Sequence, residues 1–137
     1  MQEHYQLSDQ DFVSQFADGS LTPQWFTHEA HLRLAWILLR SHEVEQAAEL
    51  LCRYIRNFDQ LHGDGTKFNM TVTIAAAKAV DHFMRHSKAG DFPSFIAEHA
   101  RLKTHFKDLL STHYGVNIFA VEEARSTFLE PDKLPFD

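Results

Sequence analysis

Thr27-His28-Glu29-Ala30-His31-Leu32-Arg33-Leu34-Ala35-Trp36-Ile37-Leu38-Leu39-Arg40-Ser41 is the stretch whose reading decides the fold. In it His28, His31, Leu32, Ala35, Trp36 and Leu39 recur at i, i+3, i+4, i+7, i+8 and i+11, the repeat of one face of an α-helix. Thr27 supplies a hydroxyl N-cap, so the spacing predicts a helix over 27–41. Two histidines ride on its apolar stripe, and both imidazoles are expected to face inward.

The same periodicity extends to both sides. Upstream, Ser8 followed by Asp11 resembles a capping box, and Phe12, Val13 and Phe16 share a face before Gly19, which predicts a first helix over 8–18. Thr22-Pro23 predicts a helical turn or a bend. Downstream, Val44, Ala47, Ala48, Leu51, Cys52, Ile55 and Phe58 form an apolar stripe opposite Glu45, Glu49, Arg53 and Arg56, predicting a third helix over 43–62. The run His62-Gly63-Asp64-Gly65-Thr66 reads as a loop. A fourth helix follows, with Val72, Ala76, Ala79 and Phe83 on one face and Asn69, Thr73 and Val80 beside them; Ala75 to Ala77 permit close helix approach. Ser87 to Gly90 breaks the chain, and Pro93 fits position N1 of a fifth helix that continues or restarts to Tyr114, with Gly115 as its C-cap. A short helix near Val121 to Phe128 precedes a tail whose Pro131 and Pro135 favour extended backbone. Strand signals are lacking, so the expected fold is all-α: a compact single domain over 1–137, a bundle of five to six helices with an extended C-terminal tail.

Composition limits the partners. Nineteen acidic against thirteen basic residues give a formal charge of −6, which provides no field to draw a phosphate backbone, so no nucleic-acid partner is expected. The longest wholly apolar run, Leu34 to Leu39, has six residues where a bilayer needs roughly 20, so no membrane partner is expected. A lone Cys52 and a polar Met1 to Gln10 fit a reducing, cytoplasmic setting. The unusual entries are ten His and twelve Phe, which raise the question of metal or acid-base chemistry.

Most such chemistry is removed by spacing. A zinc-protease helix needs His-Glu-x-x-His, whereas His28 and His31 stand three apart. A divalent metal on that pair needs a third ligand, and Asn69, Thr71 and Thr73 on the facing helix are poor donors, so no cofactor is expected and His28 and His31 are only weak metal candidates. Glu-x-x-His does not occur, and Asp81-His82 reverses the His-Asp of helical phosphohydrolases. His82 and His86 share a stripe with Lys78 and Thr71 that reads as solvent-exposed; His4, His42, His62, His99, His105 and His113 show no consistent spacing and read as solvated or capping. Cys52 lies on an apolar face with no basic partner, which makes it core. Neither Gly-x-Ser-x-Gly nor a phosphate loop is present. Trp25, Phe26 and Trp36 sit at core spacings.

Phe26-Thr27-His28-Glu29-Ala30-His31-Leu32-Arg33 resembles the Trp/Phe-Thr-His-x-x-His-Leu/Val motif of a family of small, helical, largely uncharacterised bacterial proteins. A second block of that family, Tyr-His-Glu-Thr-Leu/Ile-Thr, resembles Phe68-Asn69-Met70-Thr71-Val72-Thr73, and a third resembles Tyr114, Glu123-Ala124-Arg125, Phe128 and Glu130-Pro131-Asp132 through Pro135. Asn69-Met70 stand where the family has His-Glu, which removes the best further metal donors and leaves a hydrogen-bonding amide. The resemblance implies a fold and a site location, and no reaction.

Three readings follow. Polar groups on faces that otherwise read as core point to a pocket between the second and fourth helices that binds a small polar molecule through His28, His31, Asn69 and Thr73. Tyr114, Arg125 and Glu130 then close the pocket or pin the tail, with Arg125 paired to a carboxylate as the plainer role. The second reading is a hydrolase, lyase or isomerase with His28 or His31 as general base, tuned by the neighbouring imidazole or by Glu29. The third is an interaction module or homodimer using exposed Phe92 and Phe136.

Overall fold

The computed structural model describes residues 2–136, and among them every regular element is helical. After a 3-10 turn over Glu3–Gln6 come α1 (Asp9–Asp18), a 3-10 turn over Pro23–Trp25, α2 (His28–Ser41), α3 (Val44–His62) and α4 (Met70–Met84). Three short pieces follow, α5 (Phe92–Glu98), α6 (Arg101–Thr104) and α7 (Phe106–Ser111), and then α8 (Glu123–Ser126). None of these helices is long and apolar enough to cross a membrane.

Three of the first four helices, α1, α2 and α4, begin at a side-chain cap. Ser8 accepts from the Asp11 amide at 3.1 Å, Thr27 from Ala30 at 3.1 Å, and Asn69 from Val72 at 3.0 Å; each occupies an orphan donor of its helix. Gly19 ends α1 at φ 82°, left-handed backbone that glycine adopts without a Cβ penalty.

α2 is the central element, flanked by α1, α3, α4, α5 and α6. Its Leu32, Leu34, Ala35 and Trp36 are buried, as are Ala75, Ala76 and Ala77 of α4, whose small side chains let α4 lie close to both α2 and α3. Aromatic rings join further helices to these: Phe16 of α1 stacks on Phe58 of α3 at 4.6 Å, and Trp36 of α2 meets Phe92 of α5 edge-on at 6.0 Å. Fully burying one such ring stabilises the fold by about 2 kcal/mol. A smaller apolar cluster of Ala75, Leu110, Tyr114, Ile118 and Ala124 joins α4 to the C-terminal third.

The fifth helix departs from expectation. It starts one residue earlier, at Phe92, with Asp91 as N-cap and Pro93 in the second position. Of the two courses expected for it, the segment restarts, after breaks at His99 (φ −120°, ψ 55°) and His105 (φ −133°, ψ 37°). α5 and α6 both pack against α2, with Phe95 and Leu102 fully buried. Gly115 is not a helix cap, since α7 ends at Ser111 with Thr112 as its C-cap. Its amide donates to Asp132 Oδ1 at 2.7 Å, and a Cβ there would come within 2.9 Å of that carboxylate. The last helix is shorter than 121–128, and the segment after it carries no regular structure through residue 136.

Candidate functional site

The stretch that opens α2 divides its polar residues between two faces. The 3-10 turn over Pro23–Trp25 delivers Thr27 to the N-cap position, where its own hydroxyl donates to Gln2 Oε1. Beyond it, Glu29 and Arg33, one turn apart, face the N-terminal segment, while His28 and His31 face α4 and the α6–α7 segment.

His28 is exposed at the rim, which corrects the inward placement expected from the periodicity. The first turn of a helix has no preceding turn to cover it. Nε2 of His28 lies 3.0 Å from the Leu102 carbonyl, and because a carbonyl only accepts, Nε2 carries the proton. A neutral His28 therefore has its lone pair on Nδ1. The break at His105 explains the contact, since it frees a Leu102 carbonyl that a continuing helix would have used.

His31 does face inward. Its ring stacks on Phe26 at 5.8 Å, and its Nε2 is excluded from solvent with no hydrogen-bond partner. Burial, and then the neighbouring His28, pull its pKa down to about 4, so the ring is neutral at ordinary pH. Glu29 takes no part in this. Its carboxylate is held by the Tyr5 hydroxyl at 2.7 Å and Lys103 Nζ at 2.6 Å, which together outweigh burial and keep its pKa below the usual range.

His31, together with Val72, lines two cavities. One, of about 390 Å³, lies towards α6 and α7 and is bounded by His28, Lys103, His105, Phe106, Lys107, Asp108 and Phe119. The other, of about 340 Å³, lies towards α3 and is bounded by Phe26, Phe58, Asp59, His62, Asn69 and Thr73. The four residues expected to share one pocket are thus divided: His28 with His31 on one side, Asn69 and Thr73 with His31 on the other.

Asn69 is already occupied on both ends of its amide. Oδ1 caps α4, and Nδ2 donates to the Ile118 carbonyl at 2.9 Å, in the loop whose Phe119 walls the first cavity. Thr71, fully buried and not on an exposed stripe, donates to the Thr127 carbonyl and accepts from the Leu129 amide. Tyr114 and Arg125 lie in neither cavity. The Tyr114 hydroxyl donates to the Leu129 carbonyl at 2.7 Å and pins the tail, with burial raising its pKa to about 12. Arg125 pairs with the Thr66 carbonyl, so its partner is backbone and not the expected carboxylate. Glu130 borders a separate groove along α3.

Other histidines and aromatics also move. His4, expected as a solvated or capping residue, is fully buried; His99 packs between Phe83 and Phe95, at 5.0 and 5.3 Å. His82 and His86 rings lie 4.9 Å apart, His86 exposed and His82 half-buried. Cys52 is buried, and burial raises its thiol pKa to about 11. Phe92 is buried against Tyr5 and Trp36, and Phe136 is half-buried on His113, so neither is a free apolar anchor. Among the described residues no three His, Cys, Asp or Glu side chains are grouped to hold a metal ion. A metal on His28 and His31 would draw its remaining ligands from elsewhere.

A polar cluster behind the site escapes the spacing argument. Arg33 is buried, donates to the His4 and Leu7 carbonyls at 2.7 and 2.8 Å and to Asp9 at 2.9 Å, and lies over the Phe12 ring. The available signal is a Glu29/Arg33 pair one turn apart on a helix that is otherwise apolar on nearly every side. Comparison with protein-family models, curated proteins and solved structures finds no match to this chain.

Proposed function

We propose that the protein binds a small polar molecule between α2, α4 and the α6–α7 segment, with His31 as its central contact. The observation that carries this reading is the unpartnered, solvent-excluded Nε2 of His31, a residue that lines two cavities. A buried polar nitrogen left without a partner costs about 1–3 kcal/mol, a cost that a ligand group in either cavity would relieve. Cavities of this size fall in the range of small-molecule sites, and this one combines apolar walls from Leu32, Val72 and Phe106 with a few convergent polar groups.

The experiment is a thermal-shift screen of small polar metabolites on the wild type and on His31→Phe. Compounds that raise the midpoint of the wild type and leave the variant unmoved support the reading. A screen whose hits stabilise both proteins equally contradicts it.

A second reading, of the hydrolase, lyase or isomerase type, draws on His28. Its Nδ1 lone pair, oriented by the Leu102 carbonyl, stands beside the same cavity, which suits a general base. His31 suits that role poorly, because a pKa of about 4 makes it a weak proton acceptor at neutral pH. Turnover of a substrate that binds the site, abolished by His28→Gln with binding retained, supports this version; binding without turnover removes it.

A further inference from the structure

A separate cavity of about 470 Å³ lies further along α4, towards its C-terminal end, between α4, α7 and the C-terminal tail. Its walls are apolar: Phe83, Leu109 and Leu110 below, Leu134, Pro135 and Phe136 above. The tail is fixed as its roof through His113. Nδ1 of His113 donates to the Leu134 carbonyl at 2.7 Å, the His113 carbonyl accepts from the Lys133 amide at 2.9 Å, and the Phe136 ring stacks on the imidazole at 4.1 Å.

The ionisable groups on this lining are His82, Arg101 and His113, with no carboxylate among the described residues that bound it. Arg101 is exposed and has no carboxylate within ion-pair distance among the described residues. On a chain of net charge −6 the permanently charged Arg101 on this lining favours an anionic ligand. The cavity beside His28 differs, because Asp108 stands on its rim and Glu29 neutralises Lys103.

We infer that this cavity is a second ligand site, independent of His31, that takes a small amphiphilic carboxylate with its apolar body under the tail and its charge against Arg101. The guanidinium presents a planar fork of donors that a carboxylate matches in bidentate fashion. The apolar body then removes Leu134, which is 53% exposed, from water.

The test is calorimetric titration with octanoate and with octan-1-ol, which share the apolar chain and differ in charge. Octanoate is expected to bind one per chain at least fivefold more tightly than the alcohol. Arg101→Met should weaken octanoate about tenfold and leave the alcohol unchanged, while Phe136→Ala should weaken both. In imidazole NMR spectra octanoate should shift His113 and leave His31 in place. Equal affinity for acid and alcohol, an unchanged octanoate affinity in Arg101→Met, a shift at His31 in place of His113, or no octanoate binding at millimolar concentration would each overturn the inference.

Discussion

Nη1 of Arg33 donates to Nδ1 of His4 at 3.2 Å, across twenty-nine positions of sequence. A guanidinium only donates, so His4 must present a lone pair at Nδ1 and carry its proton on Nε2, which lies 3.0 Å from Gln2 Oε1. Protonating Nδ1 would set two donors against each other inside the fold. Burial, followed by the Arg33 charge, accordingly lowers the His4 pKa to about 4.

This gives stability a definite pH dependence. His4 and His31 both titrate near 4 when folded, against 6.5 as the ordinary histidine value. Between those values the unfolded chain binds more protons, so unfolding free energy should fall as pH drops from 6.5 towards 4, by up to about 1.4 kcal/mol per pH unit for each histidine. Above 6.5 neither contributes a slope. Urea unfolding at a series of pH values checks this, and His4→Asn should remove about one histidine's share of the slope. A wild-type stability flat between pH 7 and 5 would show that neither ring is held neutral.

Arg33 should be among the most costly side chains to remove. Truncation leaves the His4 and Leu7 carbonyls without their partner and Asp9 without its ion pair. Arg33→Met is expected to cost about 3–5 kcal/mol in chemical denaturation, and Arg33→Lys to recover little, because an ammonium cannot reproduce the fork. A loss below about 1 kcal/mol for Arg33→Met would mean that the N-terminal segment is not held in this way.

Asn69 carries two separable jobs. Asn69→Ser should keep the α4 cap and lose the bond to Ile118, while Asn69→Ala loses both and should cost about 1 kcal/mol more. Hydrogen exchange read along residues 115–121 should quicken in both variants, since each frees the loop that carries Phe119. Unchanged exchange there would remove Asn69 as the loop's anchor.

Tyr114→Phe tests whether the tail and the His31 site are separate. Losing the hydroxyl should cost about 1 kcal/mol and loosen residues near Leu129, with ligand affinity at His31 unaltered. An affinity change of more than about threefold would tie Tyr114 to that site after all.

The legible parts of the molecule are those that local chemistry determines. Ser8 and Thr27 cap the helices they precede, and the apolar stripes of α2, α3 and α4 are the faces that are buried; Asn69, read as a face residue, proves to be the cap of α4. His31 could be placed inward because it sits a full turn into α2. His28 could not, since periodicity does not register that a first turn protrudes. The breaks at His99 and His105 fall in a stretch without glycine or proline, and the burial of His4 depends on Arg33 far along the chain. Such tertiary pairings leave no periodic trace. Tyr114 and Arg125 lie elsewhere because the backbone they hold, at Leu129 and Thr66, is specified by the fold and by no motif.

His31 itself is the point at which the proposed function stands or falls. Nitrogen-15 spectra of the imidazoles, recorded at pH 7 before and after addition of a ligand from the screen, report the state of Nε2 directly. The prediction is a neutral ring whose Nε2 resonance moves by several parts per million on ligand addition, while His113 stays in place. An Nε2 resonance that holds its position through saturation with every stabilising ligand would contradict His31 as the contact.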